Sequence, residues 1–518
     1  MAPVLRDAEG CEDARVLGVR RRRVSRPPRT QLGVGRPLRQ RPVHQSLPDD
    51  DDHHGERRGG HRARRAPPGA VMTRTAIVGG TLVDVRTGKT TANTTVLTDG
   101  ERIAEVGPAD RVRAPAGAKE VDARGGWLIP GLTDMHAHVR SPALLPVYLA
   151  FGVTTVRDPG GSLTRSVLLR RDVAEGRRIG PRMFIAGPIL DGIPPLWPEM
   201  TLLVDTVERA EAAVRFLAAQ EVDFIKVYNS VPERSLEAIV RTAHKLKLRV
   251  TGHVPRSLTM TRAIEIGMDG LEHVRVTGRE MLSPEEAAKL DYLPVRRREA
   301  MLWERFDLSS PKFTALIKRV AKKSVFLDPT FVVDAAPVRT DEERERAERM
   351  DGLPDWIAET IRPARAARDA ADPNRVMEQP QDVMELGRSG LRKRQQFIRM
   401  CAEAGVRLVT GTDFTGLGED LPGRGVQQEL GYLVACGLTP LAALRASTIT
   451  AAAALGKERE MGAIERGKLA DILVLDKDPL AEVRNIAAIR AVVHGGRATT
   501  PAELLAAPPP EPETPYAR

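Results

Sequence analysis

The chain reads as an α/β protein: a (β/α)8 TIM barrel with a small β-sandwich domain formed by the N- and C-terminal flanking segments. Three observations predict this. Short apolar strands alternate with amphipathic helices through the middle of the chain, two β-rich segments flank that region, and four of the six histidines beyond residue 71 fall at ends of the apolar strands. Alternating strands and helices favour a parallel sheet with helices outside, and a parallel barrel sends the C-terminal end of every strand to one mouth.

The elements follow in order. Residues 1–71 carry an arginine run (Arg20 to Arg23), an acidic run (Asp49 to Asp52) and scattered Pro and Gly, with no lasting period. Such a leader is expected to be disordered. A sharper alternative makes Met72 the true start. Residues 73–126 read as short strands broken by turns, such as the one at Asp99-Gly100, and a comparable stretch returns at 461–500. Together they predict a composite β-sandwich, which would cover sheet edges.

Residues 127–460 predict the barrel. Its expected strands are 127–138, 154–158, 183–187, 223–228, 249–254, 270–274, 325–330 and 407–413, with helices such as 235–246 and 391–404 between them. Charged, helix-prone insertions near 276–322 and 338–385 account for length beyond the usual barrel. The segment 501–518 reads as a mobile, Pro-rich tail.

Composition excludes several classes. The net charge of +10 invites a nucleic-acid reading, yet the leader holds 16 Arg, no Lys and 9 acidic residues. The remainder carries 63 basic and 60 acidic residues, so the basicity belongs to the leader and no nucleic-acid partner is expected. Cys11, Cys401 and Cys436 are too far apart for a disulfide framework or a thiolate zinc site. No apolar run is long enough to span a membrane and the first thirty residues lack an apolar signal core, so a cytoplasmic protein without a membrane partner is expected. The expected partner is a small-molecule substrate; homo-oligomerisation stays open.

The candidate chemistry centres on His136 and His138. Residues i and i+2 of a strand face one side, so both imidazoles can converge on one metal ion. Two incidental histidines would look the same. His253 and His273 change the balance, because they end two further expected barrel strands. His244 in an apparent surface helix and His494 in the C-terminal strand read instead as structural. Lys226, in Phe224-Ile-Lys-Val-Tyr, points inward with Phe224 and Tyr228 if Ile225 and Val227 face the helices. A lysine inside a barrel is costly unless salt-bridged or chemically altered. Asp413 ends an apolar strand, where an ordinary turn aspartate is the competing reading. Tyr228 either contacts substrate at the rim or packs beneath the loops.

His136-x-His138, Lys226, His253, His273 and Asp413, in that order, resemble the metal-ligand set of the amidohydrolase superfamily. Gly131-Leu-Thr-Asp-Met-His-Ala-His resembles its first-strand motif, and Gly462-Ala-Ile-Glu-Arg-Gly-Lys-Leu-Ala-Asp-Ile-Leu-Val-Leu-Asp its C-terminal motif. The segments Thr154-Thr-Val-Arg-Asp, Phe224-Ile-Lys-Val-Tyr and Gly252-His-Val-Pro are most similar to the imidazolonepropionase-like and prolidase-like branch. The resemblance implies a binuclear centre of two divalent metal ions, usually Zn2+. His136, His138 and Asp413 would hold the first and His253 and His273 the second, with Lys226 bridging as a CO2-derived carbamate. It further implies that metal-activated hydroxide cleaves an amide bond, as in an N-acyl amino acid or dipeptide, while Asp413 moves the proton. One departure stands out: where prolidase-like relatives often carry Gly-Gly-His, this chain has Gly187-Pro-Ile-Leu-Asp-Gly-Ile-Pro-Pro-Leu-Trp197-Pro, a candidate apolar wall. Hydrolysis of a cyclic amide, lactone or phosphoester on the same scaffold is an alternative, and a non-catalytic barrel scaffold is another.

Overall fold

The computed structural model describes residues 74–274, 278–291, 301–340, 342–343, 345, 349–371, 381–414 and 421–506. The expected disordered leader and the tail from residue 507 lie outside the described residues, as do parts of both insertions.

Five strands come first: β1 (Thr75–Val83), β2 (Thr90–Asp99), β3 (Arg102–Pro108), β4 (Lys119–Asp122) and β5 (Trp127–Pro130). Ten short strands follow: β6 (Leu132–Asp134), β7 (Val153–Asp158), β8 (Arg182–Ile185), β9 (Ile189–Asp191), β10 (Thr201–Leu203), β11 (Phe224–Val227), β12 (Arg249–Gly252), β13 (Gly270–Glu272), β14 (Phe326–Asp328) and β15 (Arg407–Leu408). Three close the chain: β16 (Ile472–Leu475), β17 (Ile489–His494) and β18 (Arg497–Thr499).

The first and last groups share one mixed sheet, in the order β18-β17-β16-β5-β1-β2-β3, with β4 beside β1. Ile77, Val96, Ile103, Leu128, Ile472, Val474 and Val493 pack as its apolar core. The parallel strands form two sheets, β6-β7-β8 and β10-β9-β11-β12-β13-β14-β15. Backbone hydrogen bonds also run between them: Asp223 N–H donates to Ile185 O, and Met135 N–H to Thr410 O, each at 2.8 Å. Helices such as Glu233–Lys245 bury Leu236, Ile239, Val240 and Ala243 while leaving Arg241 and His244 toward water, the amphipathic spacing seen in the sequence. Among the described residues no helix is long and apolar enough to cross a membrane.

The structure corrects two expectations. Residues 127–138 are not one strand. β5 pairs antiparallel with β16, whereas β6 pairs parallel with β7. The switch occurs where Pro130 has no N–H to give. The next two N–H groups then divide, Gly131 to Asp471 O at 2.9 Å and Leu132 to Gly152 O at 3.0 Å. After β8, the strands β9 and β10 pair in parallel. The tail does not begin at residue 501: Pro501–Leu505 is helical. Thr500 and Glu503 form a reciprocal capping box, Leu504 is buried, and Leu505 O accepts from Trp356 Nε1 at 3.1 Å.

Candidate metal centre

The ends of β6 and β15 create the centre. After β6 the chain runs beside residues 412–414: Asp413 N–H donates to His136 O and His138 N–H to Phe414 O, both at 2.8 Å. Buried Asp134 knits the two segments, accepting from His136 N–H at 3.0 Å, Thr412 N–H at 3.1 Å and the Thr412 hydroxyl at 2.8 Å. Burial pushes its carboxyl up to about 7 in spite of those bonds. Gly411 permits the close approach, because a Cβ there would lie 2.3 Å from Asp328 Oδ2 and 2.6 Å from His136 Cβ.

This framework brings His136, His138 and Asp413 together, with one ligand atom from each all within 4.8 Å of one another. His136 Nε2 and His138 Nε2 each lie 3.3 Å from Asp413 Oδ1, and His273 Nε2 lies 3.9 Å from Asp413 Oδ2. The His273 ring is 5.1 Å from that of His136 and 4.7 Å from that of His253. All four expected histidines are therefore neighbours. His244 and His494 do not join them; they pair with Asp269 and Asp471, each at 2.8 Å.

The outer nitrogens decide how these rings are presented. His138 Nδ1–H donates to Gly160 O at 2.8 Å, and His253 Nδ1 meets Asn229 Oδ1 at 2.9 Å. His273 Nδ1 meets Thr330 Oγ1 at 2.6 Å, and that hydroxyl spends its own proton on Pro329 O. Acceptors at Nδ1 place the lone pair on Nε2, the arrangement that metal-binding histidines use. His136 is the exception: its Nδ1 is buried without a hydrogen-bond partner, 3.5 Å from Asp328 Oδ2. Two imidazoles and a carboxylate in this convergence fit a borderline divalent cation such as zinc.

Lys226 lies inside the parallel strands, as alternation requires, and is buried. Its Nζ pairs with the Glu272 carboxylate, the salt-bridged form of a buried lysine. Glu272 Oε1 also accepts from Arg157 Nη2 at 2.6 Å and from the Thr251 hydroxyl at 3.0 Å. Burial alone would raise the Glu272 carboxyl, but Lys226, His136 and Arg157 outweigh it and hold it below the usual range. Burial lowers the Lys226 ammonium, against the pull of Glu272. Asp413 likewise resists burial and is held low by the charge of His136 and the bond from His138. Tyr228 sits at the rim: its ring is 4.0 Å from that of His253, and its hydroxyl accepts from Trp197 Nε1 at 3.2 Å.

Sequence reasoning missed Arg157, Glu272 and Asp328. Arg157 lay in view within Thr154-Thr-Val-Arg-Asp, but nothing there signals that its guanidinium sits 4.8 Å from the Phe224 ring centre and reaches β13. Glu272 precedes His273, and strict alternation would send the two to opposite faces. His273 instead has φ +61°, and Thr330 and Asp413 each have φ +51°. These left-handed residues turn the strand ends so that neighbours in sequence share the site, a costly conformation held by its surroundings.

The Amidohydrolase family model matches residues 127–499, and the chain belongs to that family. A dihydroorotase of Anaeromyxobacter sp. (strain K) is 44% identical over 66 residues, 13% of this chain and 14% of its own length. This chain thus spans about one seventh of that curated relative. Bottromycin amidohydrolase superposes with a TM-score of 0.65 at 23% identity, covering 83% of this chain and 87% of its own. A Xaa-Pro dipeptidase solved with methionine in its active site superposes with a TM-score of 0.59 at 20% identity, covering 83% and 100%. These structural likenesses concern the fold: an α/β chain with parallel sheets in the manner of a TIM barrel.

Proposed function

We propose that the chain is a metal-dependent hydrolase that cleaves an amide C–N bond, as in an N-acyl amino acid or a dipeptide. One observation carries the reading: ligand atoms of His136, His138 and Asp413 converge within 4.8 Å at the C-terminal ends of parallel strands. These three residues would hold one divalent cation, zinc by the donor set, and His253 and His273 a second, with Lys226 between them as a carbamate. Bound there, the cations would polarise the scissile carbonyl and acidify water. The proposal includes a closed barrel, supported by the hydrogen bonds from Asp223 and Met135 that join the two parallel sheets, and a sandwich built on the mixed sheet.

The chain's own groups have definite tasks. Asp413, between the two imidazoles, accepts a proton from water and passes one to the leaving amine. Gly160 O, Asn229 and Thr330 hold three rings in the Nε2-presenting form. Burial favours the neutral Lys226 amine, the form that makes an N–C bond to CO2 and releases one proton. Glu272 keeps Arg157 and Thr251 as partners when its contact with the ammonium is given up.

Zinc-loaded protein should be offered N-acyl amino acids, dipeptides, cyclic amides, lactones and phosphotriesters. Turnover of open-chain amides, lost with a strong chelator and regained with Zn2+, is the expected result. Turnover confined to lactones or phosphotriesters would move the reaction to another bond, and none at all would leave a scaffold. Carbon-13 NMR after exchange with labelled bicarbonate tests the carbamate: its resonance should be present in wild type and missing in Lys226→Ala.

A further inference from the structure

The loop between β9 and β10 stands beside the centre and is unusually apolar for a surface. Among the described residues, seven large apolar side chains are exposed, and three of them lie in this loop, Ile193 (63%), Leu196 (49%) and Trp197 (40%), with a fourth, Leu203 (40%), at the end of β10. Isolated exposed apolar residues are ordinary, but a concentration marks a place that something covers.

The loop is built, not slack. Buried Asp191 accepts from Gly192 N–H at 2.9 Å, Leu196 N–H at 3.3 Å and Ser230 N–H at 2.6 Å. The Ser230 hydroxyl donates to Pro194 O at 3.0 Å. Gly192 presses so close that a Cβ there would lie 1.8 Å from Ser230 O. The loop is thereby latched to the segment following β11, the strand that carries Lys226. At its tip the Trp197 indole donates to Tyr228, whose ring lies against His253. An indole two side chains from a candidate metal ligand, prevented from folding away, keeps an apolar face in water until a ligand's apolar group removes it.

We infer that Trp197, with Ile193 and Leu196 on the same latched loop, forms an apolar wall that selects amide substrates bearing a bulky aliphatic or aromatic group. The inference rests on the hydrolase reading above and adds the substrate class. Asp191 is a positioning residue, since it acts by holding the loop. Tyr228 joins the wall to the centre.

The test uses full-length, zinc-loaded protein and matched pairs: N-acetylphenylalanine against N-acetylglycine, and leucylleucine against glycylglycine. The apolar member should be preferred in kcat/KM by about tenfold or more, chiefly through KM. That ratio should fall toward unity in Trp197→Ala and return in Trp197→Phe. An unchanged ratio in Trp197→Ala, or a wild-type preference for the glycine member, overturns the wall. Light scattering accompanies the assay: a dimer lost in Trp197→Ala with the ratio unchanged would assign the patch to a second copy and overturn the proposal. If no amide is turned over, the hydrolase reading fails, and the wall is judged by fluorescence. Saturable quenching by N-acetylphenylalanine amide but not by glycine amide, absent in Trp197→Phe, sustains it; no such quenching overturns it.

Discussion

Two histidine–aspartate pairs, one half-buried and one fully buried, lie in two regions of this molecule, and they behave differently. In the mixed sheet, His494 Nδ1 meets Asp471 Oδ1 at 2.8 Å, and the same oxygen accepts from Gly495 N–H at 2.9 Å. Burial pushes the Asp471 carboxyl up, but His494 outweighs it and brings it down to about 2. At the mouth, His136 Nδ1 stops 3.5 Å from Asp328 Oδ2, and neither atom has a hydrogen-bond partner. Burial drives the Asp328 carboxyl well above its ordinary range. The residue types are the same. The sheet pair is joined by a hydrogen bond, although Asp471 Oδ2 lacks a partner, while the mouth pair is kept apart by a backbone that aims the other face of His136 at Asp413. Buried polar groups left unsatisfied ask for an explanation, and the proposed cation would supply one by drawing His136 into a fixed orientation.

The largest expected contrast comes from removing one carboxylate in each region. Asp413→Asn should lower kcat/KM on the best amide by about 10²–10⁴-fold with the melting temperature nearly kept. Asp471→Asn should keep kcat/KM and lower the melting temperature, because a buried paired partner is lost. Matching profiles for the two variants would erase the distinction between the regions.

Asp328 sharpens the comparison. Asp328→Ala should weaken zinc binding by about 10–100-fold, read by competition with a chelating dye, since His136 loses the acceptor facing Nδ1. The metal-free variant should melt higher than wild type, because a buried carboxyl without a hydrogen bond is gone. Asp328→Asn keeps an acceptor and should recover most of the affinity. Unchanged zinc affinity in Asp328→Ala would show that His136 is oriented without it.

A smaller effect is expected from Glu429, a buried acid whose two oxygens accept from Phe331 N–H at 3.0 Å and Val332 N–H at 2.9 Å. Burial nevertheless pushes its carboxyl up to about 8 from an ordinary 4.5. A raised folded-state value means the folded protein holds this proton more tightly than the unfolded chain. The stability it contributes is complete below about 4.5 and is lost as pH rises through about 8. Melting temperature should therefore decline over that interval in wild type and decline less in Glu429→Gln. Parallel curves would remove Glu429 as the cause.

The sequence carried the alternation of strands and helices, and with it the inward face of Lys226 and the shared mouth of His136, His138, His253, His273 and Asp413. The inward face of Lys226 follows from the two-residue period, and the gathering of the histidines and Asp413 from their places at the strand ends. What it did not carry depends on long-range geometry. The break between β5 and β6 arises because Gly131 and Leu132 donate to different sheets, and neither acceptor is near in sequence. Glu272 stayed hidden because the left-handed His273 suspends the two-residue period where the site begins. The Arg157–Glu272–Lys226 cluster joins three strands, so no single motif displays it. The helix at Pro501–Leu505 was legible in Thr500 and Glu503, whose spacing is a capping signal that the prolines beyond it obscured.

The central claim is that the open pair at the mouth belongs to a metal centre. It is tested most directly by counting divalent metal in purified protein by elemental analysis, with amide hydrolysis measured on the same samples before and after exhaustive chelation. Wild-type protein should hold between one and two equivalents, His136→Ala should hold fewer, and activity should vanish with the metal and return with Zn2+. Full hydrolytic activity in protein stripped of metal would contradict it.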